Sequence, residues 1–356
     1  MTLSTTPAVY IISLTPGGHA LGREIAQKIP DAVFWVPIAC KPNHPEAQSF
    51  DRLKSLLAEA FLGKHPLICI MATGIVVRQL APLLQGKELD PAVVVVDEAG
   101  RFAISLLSGH LGGANELART VGNLIGATPV ITTATDVQGL PALDILAPRL
   151  GLHLENLRAV KDISMALLHG QPVRLVDPEG RLQSELMDHQ GLFELLPDTP
   201  ESWHKPGPAV YVGYQEYQWP DSWLRLRPKN LMAGIGCNKG TGVKEILDFL
   251  QDTFRRFNLS LQSLHTLATI DAKQDEPGLK AAAERLGVNF RWFTKEELQQ
   301  MEVPNPSAMV QSHMGVASVC EAAALKAAAA QTLLVPKQKS PNVTLAVAQV
   351  CCPWSV

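Results

Sequence analysis

Short apolar runs alternate with amphipathic stretches through the first 136 residues. Val9–Leu14, Ala32–Val36, Leu67–Met71, Val93–Val96 and Phe102–Leu107 have the length and composition of buried strands. Between them, Leu21, Ile25 and Ile29 follow Pro16-Gly17-Gly18 at helical spacing, and Glu46–Phe61 reads as an amphipathic helix. Ala114, Leu117, Ala118, Val121 and Ile125 form another helical stripe directly after Gly112-Gly113. Strand, turn and helix in alternation predict a Rossmann-like parallel sheet with helices on both faces. The four-valine run ends in Asp97-Glu98, which places two carboxylates at a strand's carboxyl end, where open α/β sheets hold ligands.

Beyond Asp136 the pattern weakens. Leu143–Leu150 and Asn156–Leu168 suggest helices; Val173–Val176, Ala209–Tyr214 and Trp223–Leu226 suggest strands between proline- and acid-rich turns. This stretch reads as a small α+β middle domain. Its Trp203, Trp219, Trp223, Tyr211, Tyr214 and Tyr217 suit core packing, with stacking on a flat ligand as the alternative. A third unit, α/β again, opens with the strand and glycine-rich turn Leu231–Gly242 and closes with the alanine-rich helix Val316–Ala330 and the strand Val343–Val350. The expected domains are residues 1–143, 144–229 and 230–356.

Composition narrows the function classes. Hydrophobic residues make up 46% and charged residues 18% of the 356, as in a globular protein. A net charge of −3 argues against a general nucleic-acid or membrane-surface binder, which needs a basic excess. The amino-terminal stretch lacks the marks of a signal peptide, so a cytoplasmic location is expected. Cys40, Cys69, Cys237, Cys320, Cys351 and Cys352 show no zinc-like spacing, and no HExxH pair occurs; no metal site of the protein's own is expected. Gly234–Gly242 lacks both the lysine of a Walker A loop and GxGxxG spacing, which disfavours a nucleotide enzyme.

The densest chemistry lies in Met71–Asp136. Ala72-Thr73-Gly74-Ile75 with Arg78, then Lys87, Asp90-Pro91, Asp97-Glu98-Ala99-Gly100, Leu106-Leu107-Ser108-Gly109-His110-Leu111-Gly112-Gly113-Ala114-Asn115 and Ile131-Thr132-Thr133-Ala134-Thr135-Asp136 resemble the CbiG family of cobalamin biosynthesis. Gly234-Ile235-Gly236-Cys237, Gly315–Ala324 and Thr344–Ala348 resemble its carboxyl-terminal part. The family pattern places a basic residue after Cys237; here Asn238 and then Lys239 stand there. The resemblance implies a cobalt-precorrin-5A hydrolase, whose substrate is a cobalt-bearing tetrapyrrole with acetate and propionate arms and one δ-lactone. Water opens the lactone and a two-carbon fragment leaves as acetaldehyde. Cobalt then belongs to the substrate and no cofactor is expected. A cobalt-corrinoid small molecule is the expected partner, without nucleic acid or membrane; a homodimer and transient contacts with neighbouring pathway enzymes stay open.

Read against that task, His110, Asp97 and Glu98 are the candidate bases for activating water, and His110, the group that titrates nearest neutrality, is preferred. A role for His110 as axial ligand to the substrate's cobalt is the alternative. Gly112 and Gly113, at a helix start, are expected to offer amides to a developing oxyanion. Gly74, Arg78, Ser108, Gly109, Asn115, Thr132, Thr133, Asp136, Gly236 and Lys239 are the expected substrate contacts, with Lys87 and Arg101 as further cations. Arg78 is placed near a strand end, and Thr132, Thr133 and Asp136 on the same sheet edge as Asp97. Ser108 lacks a GxSxG setting, so an acyl-serine route is weakly supported. Pro16-Gly17-Gly18-His19 is either a second anion-binding turn or a plain helix entry. Outside catalysis, the competing function is a carrier of unstable corrinoids that releases no acetaldehyde.

Overall fold

The structure, a computed structural model, describes residues 8–86, 89–203, 205–306 and 316–350. Lys87, Gly315, Cys351 and Cys352, named above, lie outside them. The chain packs as two compact units, Met1–Ile145 and Leu146–Val356.

The first unit holds a seven-stranded sheet in the order β3-β2-β1-β4-β5-β6-β7. Its strands are β1 (Tyr10–Ser13), β2 (Val33–Pro37), β3 (Gln48–Phe50), β4 (Leu67–Ile70), β5 (Val93–Val96), β6 (Phe102–Leu107) and β7 (Thr128–Val130). Its helices are α1 (Pro16–Lys28), α2 (Leu53–Leu62), α3 (Thr73–Leu80), α4 (Ala114–Ile125), α5 (Ala134–Val137) and α6 (Leu143–Arg149), the last running into the second unit. Alternate β5 valines explain the covering of both faces. Val94 and Val96 pack with Ile25 of α1 and Ala118 and Val121 of α4; Val93 and Val95 pack with Leu57 and Phe61 of α2 and Val76 and Leu80 of α3.

Strands β1 to β5 run parallel, β6 runs antiparallel to β5, and β7 parallel to β6. Chain length dictates the reversal. A parallel crossover needs a dozen or more residues, whereas only Asp97–Arg101 joins β5 to β6, with Gly100 in the left-handed region at φ 64°. The register pairs Val93 with Leu107 and Val96 with Ala103. One sheet edge therefore gathers the carboxyl ends of β1 to β5, and the other the carboxyl ends of β6 and β7.

Two local expectations change. Glu46–Phe61 is not one helix: Gln48–Phe50 pairs with β2, opposite Trp35–Pro37, and the helix starts at Leu53, because strand pairing overrides local propensity. Gly74–Val77 is helical rather than near a strand end. Its β-branched residues look strand-like, but Val76 and Leu80, one turn apart, are buried side by side against α2's core.

The second unit contains two five-stranded sheets. One runs β10 (Phe193–Leu195), β9 (Val173–Val176), β11 (Ala209–Val212), β12 (Trp223–Pro228), β8 (Leu152–Glu155), with β8 antiparallel at its edge. Helices α7 (Arg158–Leu168) and α8 (Pro200–Trp203) belong to this part. Trp203, Trp219, Trp223 and Tyr211 form its buried core, so the aromatics pack on one another. The fully buried Arg227 bonds Glu155 at 2.7 Å and Glu216 at 2.5 Å, which compensates its charge. The other sheet runs β15 (Asn289–Phe293), β14 (Leu264–Ile270), β13 (Leu231–Cys237), β17 (Val343–Gln349), β16 (Val335–Lys339). Helices α9 (Val243–Arg256) and α10 (Pro277–Leu286) pack with one core; α11 (Lys295–Gln299) and α12 (Val319–Ala328) serve the opposite face. A Cβ on Gly234 would stand 1.8 Å from the Cys320 carbonyl oxygen, so only glycine lets α12 lie this close to β13.

Candidate active site

The carboxyl ends of β6 and β7 deliver a polar network around His110. Ser108, directly after β6, takes a left-handed φ of 58°, and Gly113, with φ 85°, starts α4. A Cβ on Gly112 would lie 2.3 Å from that of Ser108, and one on Gly109 would lie 2.7 Å from Asn115 Oδ1. Glycine at both positions lets the turn fold tightly and present the histidine.

Nε2 of His110 lies 2.8 Å from Asp136 Oδ2, with the Thr135 hydroxyl 3.3 Å from the same nitrogen. Asp136 is held on its other sides as well. Arg119 donates to Oδ1 at 2.6 Å and Asn115 to Oδ2 at 2.9 Å. Asn115 in turn lies 3.3 Å from Thr133 Oγ1 and accepts from Ser105 at 2.7 Å. Nδ1 of His110 stands 3.7 Å from Asp144 Oδ2, an ion-pair distance rather than a hydrogen bond. The His110 side chain is 21% exposed and that of Asp144 only 8%.

These carboxylates set the electrostatics. Asp144 first, and Asp136 after it, raise the His110 pKa above the ordinary histidine value, against the opposing effect of burial. Burial works against the charge of Asp136, but the Arg119 and His110 hydrogen bonds outweigh it and hold its carboxyl below the usual range. Asp136 is thus a fixed anion that orients Nε2–H and leaves Nδ1 as the unbonded ring nitrogen. Such an imidazole can take a proton from water.

The structure brings Ser108, Gly109, His110, Gly112, Gly113, Asn115, Thr133 and Asp136 together. Thr132 is exposed, and Thr135 takes the place beside the ring. Gly113 is not a free donor: its N–H bonds the His110 carbonyl at 2.8 Å, and those of Ala114 and Asn115 bond the carbonyls of Ser108 and Gly109. Ser108 Oγ is buried without a partner among the described residues.

Asp97 and Glu98 do not join His110. They follow β5, whose carboxyl end lies at the opposite sheet edge, roughly 13 Å of strand away at about 3.3 Å per residue. Thr132, Thr133 and Asp136 are for the same reason not on Asp97's edge. Asp97 Oδ1 instead accepts the N–H groups of Arg101 at 2.8 Å and Phe102 at 2.7 Å, closing the hairpin turn. Burial opposes its charge, yet these amides keep its pKa below the ordinary carboxylate value. Gly74 and Arg78 also lie at that far edge, on α3. Gly236 and Lys239 belong to the second unit; Lys239 is exposed, and Glu276 accepts the neighbouring Gly240 N–H at 2.7 Å.

Sequence reading missed Arg119 and Asp144. Arg119 had a signal, since it follows Asn115 by one helical turn and so shares its face. Nothing in the pattern marked Asp144, which opens a short helix 34 residues beyond His110.

A mainly parallel sheet with a carboxylate-clamped histidine at one edge defines an α/β protein, and comparison places it among the proteins of cobalamin synthesis. Models described as Cobalamin synthesis G N-terminal, Cobalamin biosynthesis central region and Cobalamin synthesis G C-terminus match residues 55–136, 141–228 and 231–348. The chain belongs to this cobalamin synthesis G family, CbiG. Cobalt-precorrin-5A hydrolase of Priestia megaterium is 34% identical over 96% of this chain and 94% of that protein. The protein of the same name from Salmonella typhimurium is 35% identical over 96% and 98%. The crystal structure of a cobalamin biosynthesis protein G homolog from Sulfolobus solfataricus covers 96% of this chain and 97% of its own, at 21% identity and a TM-score of 0.36. Among the described residues no helix is long and apolar enough to cross a membrane.

Proposed function

We infer that this chain is a cobalt-precorrin-5A hydrolase of cobalamin biosynthesis, acting in the cytoplasm without a cofactor of its own. The curated relatives bearing that name support the activity along nearly the whole chain, and a non-catalytic carrier is not favoured. The chemistry belongs to His110. Asp136 holds its Nε2–H at 2.8 Å, so the neutral ring keeps its lone pair on Nδ1, on the side of Asp144, as the general base. That base takes a proton from the water that attacks the lactone carbonyl. The protonated ring, steadied by Asp136 and Asp144, returns the proton to the departing ring oxygen. The Gly112 amide, which has no partner among the described residues, suits the oxyanion. Asn115, Thr133, Gly109 and Ser108 shape the turn around the reacting group; Gly236 and Lys239, within the second unit, offer contacts of their own to an acidic group.

The carrying observation is the doubly flanked imidazole with one unbonded nitrogen. Mixing cobalt-precorrin-5A with His110→Ala and following acetaldehyde tests it. A loss of about 10²-fold or more is expected, the usual contribution of a positioned base; parental release refutes the assignment.

A further inference from the structure

The opposite edge of the same sheet carries a constellation that the His110 chemistry does not use. Strand order β2-β1-β4 makes the gap between the carboxyl ends of β1 and β4 the topological switch point, the usual ligand crevice of such sheets. Two helices start there, α1 after β1 and α3 after β4, and neither has an acidic residue in its first turn. The amides of Gly17, Thr73 and Gly74 have no partner among the described residues.

Two side chains single this crevice out. Ser13, the last residue of β1, is completely buried beneath the α1 turn, where a Cβ on Gly18 would stand 3.5 Å from its own; its hydroxyl has no partner. His19, in the first turn of α1, is buried too, but its ring packs edge-on against His44 at 4.9 Å, on the β2 side, and takes no part in the crevice. Arg78 runs back along α3, so that its guanidinium lies at Gly74, donating among the described residues only to that carbonyl at 3.2 Å. Arg78 itself stands in the last turn of α3, where a cation suits the helix dipole, and its reach back to Gly74 leaves the other guanidinium N–H groups, among the described residues, free for an anion. Glu98 already places a carboxylate against this turn, as a Cβ on Gly17 would meet its Oε1 at 2.6 Å. Exposed and with no hydrogen-bond partner among the described residues, that carboxylate is displaceable.

We propose that the crevice between the Gly17 and Gly74 turns binds the oxyanion group of a second ligand, a carboxylate or phosphate gripped by Arg78, separately from the His110 centre. Its source is either an acetate or propionate arm of a tetrapyrrole or a free phosphate. The site stands whether or not His110 is the base.

The test is titration of the isotope-labelled full chain with inorganic phosphate and, separately, with uroporphyrin, following backbone amide resonances. The Gly17, Gly18 and Gly74 amides shift with at least one probe; uroporphyrin alone assigns a tetrapyrrole arm and phosphate alone a free anion. Arg78→Ala weakens that binding tenfold or more, Ser13→Ala weakens it less, and His110→Ala leaves it at the parental strength. The proposal is overturned if neither probe moves those amides, or if Arg78→Ala binds as the parent does.

Discussion

The two edges of the first sheet differ in how completely their polar groups are used. At the β6 and β7 ends the carboxylate beside the histidine is saturated: Asp136 is bonded by His110, Asn115 and Arg119, and Asn115 by Ser105 as well, although Ser108 Oγ has no partner there among the described residues. At the β1 and β4 ends, among the described residues, Ser13 and His19 have unpartnered buried atoms and Arg78 bonds only its own helix. A saturated network fixes one side chain in one geometry and tunes its proton affinity, as chemistry requires. An unsaturated one leaves donors for something that arrives later. Family motifs fall at both edges, so motif membership alone does not say which edge reacts.

The comparison breaks most sharply on Asp136. Asp136→Asn removes the anion that orients and basifies His110, and turnover falls about 10²-fold or more. The pH profile carries the sign. As the proposed base His110 acts only when neutral, and its pKa lies above the ordinary 6.5, so kcat/KM is expected to fall as pH drops through that raised value. In Asp136→Asn the acid limb moves to lower pH; an unmoved limb contradicts the role given to Asp136. The same shift makes stability pH-dependent. The folded pKa is raised, so the His110 contribution is complete below about 6.5, the unfolded value, and fades as pH rises through the folded one.

Arg119→Ala comes next. It touches Asp136 and not the ring, so it acts as a positioning residue. About tenfold is expected in kcat with little change in KM, because a charge-assisted hydrogen bond of about 1.5 to 3 kcal/mol is removed from the anion. Equal losses through KM would mean that Arg119 meets substrate instead.

Asp97→Asn gives the smallest effect on catalysis. Its carboxylate closes a hairpin turn through two backbone amides at the far edge. Turnover should stay near parental while stability drops by about 1 kcal/mol, read as a shift in the denaturation midpoint.

Much of this was legible beforehand. Val93–Val96 and Phe102–Leu107 stand at their expected bounds; the first is buried on both faces, the second only in part. The glycine turn before α4 was legible because the helical stripe begins immediately after it. Strand direction was the loss. Five residues between β5 and β6 cannot make a parallel crossover, so the spacing itself carries the reversal that separates Asp97 from His110. Asp144 had no such trace, since only the return of the chain through α6 brings it to the ring.

The most direct measurement is acetaldehyde release from cobalt-precorrin-5A by His110→Ala and Asp97→Asn, side by side, after both are shown to be folded. The account predicts near-complete loss in the first and close to parental release in the second. The reverse pattern, with Asp97→Asn inactive and His110→Ala active, would move the chemistry to the other edge of the sheet.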